Sequence, residues 1–331
     1  MISNPTFQNM ADAHQIDRFL MENAADMIAV FHQNAAQINA SEFDLSTLSI
    51  EMRAAIKQRL GSGCFRQCHG DLRLVNLSRI DDQTVFSQQK LTTLDIVQDL
   101  AVLLCDLDEN DLRPQLNILF NRYFDVTGGC IDDPETLSVL TYYMSKKQSI
   151  SSSKQPIKLI AVGGLSGGGK SRMSRELGPL FDCSAGARIV RTDVVRKRMM
   201  GVPLSERLLS HGYTDEMNQR TYDLFYKELE IAIEQGYPVI ADAVFALPEQ
   251  RAGVEALADK LGVEFCGLWV TAPADVRARR VKQRKNNVSD ITEAVIQRQL
   301  SYDIGNVSWN HIDSSGPKAE TLAKGREYLA L

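Results

Sequence analysis

The chain has 331 residues, of which 44% are hydrophobic and 24% charged, so it is long enough for two globular domains. A formal net charge of −5 speaks against a protein coated in nucleic acid, although a local basic groove is compatible with it. The opening stretch MISNPTFQNM lacks the features of a secretory signal, no apolar run reaches membrane-spanning length, and the six cysteines form no disulfide framework. We therefore expect a cytoplasmic protein without membrane contact.

The first part of the chain has the apolar spacing of helices. This spacing predicts helices over residues 16–31, 50–60, 97–107 and 112–124. The last of these ends at TGG, where glycine ends helices easily, and the polar, serine-rich stretch KKQSISSSKQP follows. We therefore predict a mainly helical domain at 1–148, a linker at 149–156 and a second domain at 157–331.

Within the helical part, the segment QCHGDLRLVNL has the form of a kinase catalytic loop, with His69, Gly70, Asp71 and Asn76 as H-G-D-x-x-x-x-N. The second domain carries a phosphate loop of an unrelated kinase architecture. A single protein seldom needs both, so the sequence raises the question of which site works.

After the linker, short apolar runs alternate with helical stretches. The runs are IKLIAVGG, ARIVRTD, PVIADAV, VEFCGLWVTA and VSWNHIDSS. Strand–helix alternation with near-continuous apolar strands predicts an α/β fold whose parallel sheet is covered on both faces. The longest helix is predicted at 215–235.

The segment GGLSGGGKS matches the phosphate-loop pattern G-x-x-x-x-G-K-S (Walker A) between a predicted strand and a predicted helix. Glycines let backbone N–H groups surround phosphate oxygens, and the helix N-terminus adds partial positive charge. Lys170 is expected on the β- and γ-phosphates of ATP and Ser171 on Mg²⁺. The residues expected to hold the phosphates are Gly164, Ser166, Gly167, Gly168, Gly169, Lys170 and Ser171.

Further candidates follow the next two strands, since ligands collect at the carboxyl ends of strands in an open α/β sheet. We expect Asp193, at the end of the second strand, to orient or deprotonate an acceptor hydroxyl, and Arg196 to hold an anionic substrate group. Asp242 ends a buried strand, where a metal-ordering acid is expected, and Arg251 is a substrate candidate on the next helix. The alternatives are capping aspartates and solvated surface arginines.

The segment TAPADVRARRVKQRKNNVSD is basic inside an acidic protein. Arg280 and Arg284 share one helix face, and arginines on a lid can neutralise charge on a transferring phosphoryl group. The alternative is a solvated basic surface. The later stretch WNHIDSSGP is interpreted as the last strand and a turn that contacts the nucleotide base.

Residues 157–331 resemble the small P-loop kinases grouped around gluconate kinase, polynucleotide 5′-kinase and the zeta-toxin-like kinases. The matching segments are GGLSGGGKS, RTDVVR, VIADAVF, RVKQR and VSD. The resemblance implies a nucleoside-monophosphate-kinase-like core of five parallel strands, Mg-ATP, and phosphoryl transfer to a small-molecule or nucleotide hydroxyl. It does not select the acceptor.

The whole chain is similar to a bacterial two-domain protein in which an aminoglycoside-phosphotransferase-like domain precedes such a kinase. The segments carrying the match are HGDLRLVN, DIVQDLAVLLCDLD and NILFNRYFDVTGG. In that family the loop aspartate is the catalytic base and the asparagine binds metal. By this match those roles fall on Asp71 and Asn76, in a domain resembling the C-terminal lobe of such enzymes.

The first domain departs from this family in two ways. Upstream of His69 the one lysine, Lys57, lies in a helical pattern, so we expect this chain to lack the N-terminal lobe with its strand lysine. After the loop, Ser87 and Gln89 stand where a metal-binding acid is expected. We therefore interpret His69, Asp71 and Asn76 as a relic site, with Asp71 a structural residue bonded to nearby backbone.

The leading hypothesis is an ATP- and Mg²⁺-dependent kinase with one working site, in the C-terminal half. One alternative is a nucleotide-dependent regulatory ATPase whose N-terminal domain binds a protein partner. Another is a live N-terminal aminoglycoside-type phosphotransferase. The expected partner of the leading hypothesis is a small-molecule or nucleotide acceptor, without extended nucleic-acid binding.

Overall fold

The structure is a computed structural model that describes residues 5–37, 49–81, 83–87, 91–128, 133–148, 156–208, 210–282 and 302–331. Internal contacts divide the chain into two units, Met1–Ser153 and Lys154–Leu331. The division falls within the predicted linker, whose residues 149–155 lie outside the described ranges. None of the helices in these ranges is long and apolar enough to cross a membrane.

The N-terminal unit is mainly helical, as the apolar spacing predicts. Its helices are α1 Phe7–Asp12, α2 Arg18–Asn34, α3 Ile50–Gly61, α4 Ile96–Glu109, α5 Arg113–Thr127 and α6 Thr136–Gln148. Its strands are β1 Phe65–Cys68, β2 Leu77–Ile80, β3 Gln83–Phe86 and β4 Thr92–Asp95. The antiparallel pairs β1–β4 and β2–β3 were not predicted, because strands of four residues carry too little alternation to register.

Local signals in the sequence set the ends of these helices. The Asp17 carboxylate accepts a hydrogen bond from the Leu20 N–H and starts α2, while the Asp95 carboxylate accepts one from the Val97 N–H and starts α4. Gly128 ends α5 with a φ of +106°, a left-handed conformation that glycine adopts without strain. The unit's core forms where α2 packs on α5 and α4 packs on α6.

The C-terminal unit is built on a sheet of five parallel strands, which confirms the predicted α/β fold. The strands are β5 Lys158–Gly163, β6 Arg188–Arg191, β7 Val239–Asp242, β8 Glu264–Thr271 and β9 Asn310–Asp313, in the order β6-β7-β5-β8-β9. The helices are α7 Lys170–Leu177, α8 Thr192–Met199, α9 Asp215–Glu234, α10 Pro248–Leu261, α11 Ala274–Lys282 and α12 Lys318–Leu329. The central strand β5 lies between β7 and β8, and the order of the strands reverses direction there. The carboxyl end of β5 is therefore the switch point, where ligands bind in such sheets.

Helices cover this sheet on both faces. On one face Leu268 and Val270 of β8 belong to an apolar core that also includes Met173 and Leu177 of α7. Successive strand residues point to opposite faces, so Trp269 faces the other side, where the ring of Trp309 lies 6.4 Å from it, centroid to centroid. This second face is aromatic and packs beneath α9 and α10.

Gly267 leaves the space that Trp309 fills, because a Cβ at this position would lie 2.3 Å from the indole ring. We expect Gly267→Ala to lower the free energy of unfolding by about 3 kcal/mol, because the indole is buried and has no room to move. Thermal denaturation of the full chain measures the effect. The matched control is Gly316→Ala, whose Cβ would meet only the Glu320 carboxylate at 3.8 Å. Equal midpoints for the two variants would contradict this packing.

Candidate functional site

The phosphate loop connects β5 to α7, in the strand–loop–helix context that the sequence predicts. Gly164, Gly167 and Gly169 have φ values of +131°, +82° and +104°, which side-chain-bearing residues rarely adopt. A Cβ on Gly164 would lie 2.1 Å from the carbonyl oxygen of Val270, at the end of the neighbouring strand β8. The loop therefore depends on its glycines both for conformation and for close packing.

Lys170 and Ser171 open α7 directly behind this loop. The Lys170 Nζ lies 3.5 Å from the carbonyl oxygen of Leu165, so the side chain reaches back across the loop. The Ser171 hydroxyl hydrogen-bonds the carboxylate of Asp242, the last residue of β7. The structure thus brings together the predicted phosphate-binding lysine and both predicted metal ligands.

Asp242 is an electrostatically costly residue. It is 4% exposed, and its Oδ2 has no hydrogen-bond partner among the described residues. Burial raises the pKa of its carboxyl above the ordinary value. The charges of Lys170 and Arg191 and the Ser171 hydrogen bond oppose that rise. A buried carboxylate oxygen without a partner marks a place where a cation would be stabilised.

These residues fit a magnesium ion. Mg²⁺ binds oxygen ligands, usually one or two from the protein, and takes its remaining ligands from water and phosphate. The free Oδ2 of Asp242 and the adjacent Ser171 hydroxyl supply two such oxygens at the mouth of the phosphate loop. Such a donor set suits a metal ion that takes its remaining ligands from water or phosphate.

Asp193 and Arg196 lie on α8, beside the same strand ends. Asp193 is in the first turn of this helix rather than at the strand end as predicted, because β6 stops at Arg191. Burial lowers the pKa of Arg196, and the nearby charge of Asp193 opposes this. The charge of Asp193 also acts on Asp242, so the three side chains share one electrostatic environment.

Arg196 makes few hydrogen bonds for a cationic side chain, since the residue is only 6% exposed. Among the described residues its guanidinium makes one hydrogen bond, from Nη1 to the carbonyl oxygen of Gly212 at 2.8 Å. Its Cζ also lies 5.0 Å from the ring centroid of Tyr213. A desolvated guanidinium with donors in reserve is suited to an anionic group of a ligand.

Arg251 has a different environment from the one predicted for a substrate-binding residue. It is 5% exposed and lies over the Trp269 ring. Its Nη1 donates to the carbonyls of Phe245 and Ala246, and its Nη2 donates to those of Ile304 and Asn306. The guanidinium connects two loops through their backbone carbonyls, and its role with substrate stays a prediction. In sequence, an arginine in a helical pattern looks the same whether its side chain is exposed or is buried and hydrogen-bonded to backbone carbonyls.

The basic segment begins as helix α11, and Arg280 lies on it as predicted. Its Nη1 donates to the Ser314 Oγ at 3.0 Å and its Nη2 to the Ser314 carbonyl oxygen at 2.5 Å. The second predicted lid residue, Arg284, lies outside the described residues. Ser314 in turn contacts the phosphate loop, with its Oγ 2.5 Å from the Gly168 carbonyl oxygen.

Sequence reasoning missed two further arginines, one that contacts the loop and one whose charge acts on Asp242. Arg277 of α11 is buried, and its Nη1 donates to the carbonyl oxygen of Ser166 at 3.3 Å. A Cβ on Gly167 would lie 2.8 Å from the Arg277 carbonyl oxygen, so α11 packs directly on the loop. Arg277 precedes Arg280 by one helical turn, a signal that was present in the sequence. Arg191, at the end of β6, is the second.

The H-G-D loop of the N-terminal unit is held by its own side chains. Arg73 forms two hydrogen bonds to the Asp71 carboxylate, from Nε at 2.6 Å and from Nη2 at 2.9 Å. Asn76 donates from Nδ2 to the Asp71 backbone oxygen at 2.8 Å and to its Oδ2 at 2.9 Å. The residues in the catalytic-base and metal positions of the motif therefore bind each other and an arginine.

Buried residues below this loop fix its backbone. The Asp99 carboxylate accepts hydrogen bonds from the N–H groups of His69 and Gly70, at 3.0 and 2.8 Å. The His32 Nε2 lies 3.2 Å from the same carboxylate, and the His32 Nδ1 lies 2.9 Å from the Tyr123 hydroxyl. His32, Asp99 and Cys68 bring one ligand atom each within 4.8 Å of one another. Asp99 accepts two hydrogen bonds from the backbone of this loop, which favours a structural role for the cluster.

Asp71→Ala is expected to leave ADP release from ATP unchanged within about twofold, because the Asp71 carboxylate is already hydrogen-bonded to Arg73. Its unfolding free energy should fall by less than about 1 kcal/mol, since the Asp71–Arg73 pair is partly exposed. The contrasting variant is Asp99→Ala, which removes a buried carboxylate and should cost about 3 kcal/mol. Turnover lost in Asp71→Ala protein that remains folded would show that the N-terminal site is alive.

Comparisons with known proteins agree with the geometry of the C-terminal unit. Residues 159–302, which include the phosphate loop, match the family model described as AAA domain. An adenylyl-sulfate kinase of Myxococcus xanthus (strain DK1622) is 34% identical over 120 residues, which are 36% of this chain. The chain spans 60% of the length of that curated relative.

Solved structures similar to the chain are also kinases. A gluconokinase from Sinorhizobium meliloti 1021 is 19% identical with a TM-score of 0.38, and the match covers 53% of this chain and 92% of that one. The APS kinase CysC of Mycobacterium tuberculosis, in complex with AMPPNP and APS, is 15% identical with a TM-score of 0.37 over 53% of this chain and 99% of that one. The C-terminal unit thus has a phosphate-loop motif in its strand–loop–helix context, and an adenylyl-sulfate kinase is among the proteins similar to it.

Proposed function

We propose that the C-terminal unit is an ATP-dependent kinase that transfers the γ-phosphoryl group of Mg-ATP to a hydroxyl of a small molecule or nucleotide. The observation that carries this proposal is the unpartnered, buried Oδ2 of Asp242 beside Ser171, at the mouth of a loop crossed by Lys170. A phosphate cradle, a lysine and a metal-ordering carboxylate together are what phosphoryl transfer requires.

The residues divide the reaction between them. The amides of Gly167, Gly168 and Gly169 and the Lys170 ammonium hold the β- and γ-phosphates, while Ser171 and Asp242 hold the metal. A magnesium ion held by these two residues would supply positive charge that offsets the negative charge of the phosphoryl group. As the acceptor oxygen bonds to the γ-phosphorus, the bond from that phosphorus to the bridging oxygen of ADP breaks.

Asp193 is proposed to align the acceptor hydroxyl and receive its proton. It lies in the first turn of α8, and its charge acts on both Arg196 and Asp242. A carboxylate in this position can orient the attacking oxygen toward the phosphorus. Arg280, on α11 beside the loop, and Arg284, further along the chain, are proposed to neutralise charge on the transferring group.

The acceptor is proposed to carry a negative charge besides its hydroxyl. Arg196 is desolvated, with one hydrogen bond and spare donors, so an anionic acceptor group would supply its missing partners. The names of two relatives supply the first acceptors to try, adenylyl sulfate and gluconate. Each has a hydroxyl and an anionic group.

The test is ADP release from Mg-ATP with and without a pool of hydroxyl metabolites that includes these two acceptors. The proposal expects release to depend on one member of the pool. Slow release that is indifferent to the pool would favour the regulatory ATPase, with the N-terminal unit as a protein-binding surface. Release that persists in Lys170→Ala protein and disappears in Asp71→Ala protein would favour the N-terminal phosphotransferase.

A further inference from the structure

The Ser314 hydroxyl lies where the phosphate loop meets the ends of β8 and β9. Ser314 follows β9 directly and is 5% exposed. Its Oγ lies 2.5 Å from the Gly168 carbonyl oxygen and 2.9 Å from that of Thr271. The Thr271 carbonyl already accepts the Ser314 backbone N–H at 2.8 Å. The hydroxyl has one proton to donate, and the Gly168 carbonyl oxygen, at the shorter distance, is the better acceptor.

Arg280 holds the same serine from the opposite side. Its Nη1 donates to the Ser314 Oγ, and its Nη2 donates to the Ser314 carbonyl oxygen. A cationic donor on the hydroxyl oxygen polarises the O–H bond and strengthens the hydrogen bond that this hydroxyl donates. The serine thus links a lid arginine to the backbone of the phosphate loop.

The contact with Gly168 has a consequence for the next amide. In a trans peptide the C=O and the following N–H point in opposite directions within one plane. A Gly168 carbonyl drawn outward to Ser314 therefore turns the Gly169 N–H away from Ser314, toward the interior of the loop. Neither glycine has a side chain to hold this orientation, and Gly169 has a φ of +104°, so the hydrogen bond from Ser314 can contribute to holding it.

We propose that Ser314 is a positioning residue of the nucleotide site, which fixes the Gly168–Gly169 peptide so that its amide faces the β-phosphate. This inference rests on the proposed nucleotide-binding function of the loop. It assigns the turn after β9 a role in phosphate binding, in addition to the expected contact with the base.

The neighbouring serine offers a matched control. Ser315 donates from its backbone N–H and its Oγ to the Asp313 carboxylate, at 2.8 and 2.9 Å. It has a hydroxyl in the same turn but, among the described residues, makes no hydrogen bond to the phosphate loop. Ser314→Thr is the conservative variant, because it keeps the hydroxyl.

The experiment measures the affinities of ATP, ADP and AMP for the full chain by calorimetric titration. For Ser314→Ala we expect ATP and ADP to bind about tenfold more weakly, the size of one hydrogen bond to a charged group. AMP has no β-phosphate, so its affinity should change by less than about twofold. Ser314→Thr should recover most of the loss, Ser315→Ala should match wild type, and circular dichroism should show all variants folded.

Two results would overturn the inference. The first is an ATP affinity for Ser314→Ala equal to that of wild type. The second is an equal loss for AMP and ATP, or for Ser315→Ala, which would indicate general loosening of the turn. Because titration needs no acceptor, the failure of the two proposals is distinguishable: wild-type protein that does not bind ATP refutes the proposed function, whereas normal binding by Ser314→Ala refutes only this inference.

Discussion

Lys170→Ala protein is expected to release ADP from Mg-ATP about a thousandfold more slowly than wild type in the presence of acceptor. The Lys170 side chain crosses the phosphate loop toward the Leu165 carbonyl, so its ammonium lies within the loop proposed to hold the β- and γ-phosphates. Alanine removes this charge but leaves the glycine conformations of the loop unchanged. The protein should therefore stay folded and bind ATP with reduced affinity.

The control for this variant is Lys158→Ala. Lys158 starts β5, at the opposite end of the same strand, and pairs with Glu264 at 2.9 Å. Its loss removes one partly exposed ion pair and should leave turnover unchanged. Undiminished ATP turnover and nucleotide affinity in Lys170→Ala protein would refute the assignment of the active site to this loop.

Asp242→Asn is expected to lower the activity and to raise the stability of the protein. Turnover should fall by about a hundredfold or more, because the neutral amide is a poorer metal ligand than a carboxylate. The nucleotide-free protein should become more stable, by about 1 kcal/mol, because the buried carboxylate has an oxygen without a partner. Magnesium-dependent ADP release and thermal denaturation measure the two effects on the same sample.

Asp313→Asn provides the comparison for this variant. Asp313 also ends a strand of the sheet, but it is exposed, and hydrogen bonds from Ser315 lower its pKa. We expect near-normal turnover and no gain in stability from its replacement. If Asp242→Asn destabilised the nucleotide-free protein, Asp242 would be a structural anchor rather than a residue held in place for a metal.

The parts of the site that were predictable from sequence are local. The phosphate loop is a contiguous segment whose glycines, lysine and serine each have a conformational or chemical requirement, and the flanking strand and helix follow from apolar spacing. Asp242 was predictable because a polar residue that ends a buried strand in a parallel sheet lies at the ligand-binding edge. Asp193 lies in the first turn of α8 rather than at the end of β6 as predicted, since the helix begins earlier than the apolar run suggested.

What the sequence did not reveal depends on contacts between distant segments. Ser314 and Gly168 are 146 residues apart, and no local pattern links them. The clamp made by Arg251 joins loops more than fifty residues apart, so its burial could not be foreseen from a helical pattern. In the N-terminal unit the hydrogen bonds between Arg73 and Asp71 join residues close in sequence. The motif alone does not show that the arginine side chain points toward Asp71.

The most direct test of the account is to follow the γ-phosphoryl group itself. ATP labelled at the γ-phosphate is incubated with the hydroxyl pool and wild-type, Lys170→Ala or Asp71→Ala protein, and the labelled products are separated. The account predicts label on an organic phosphate for wild type and Asp71→Ala and none for Lys170→Ala. Label that appears only as inorganic phosphate, or that reaches an organic product in Lys170→Ala protein, would contradict it.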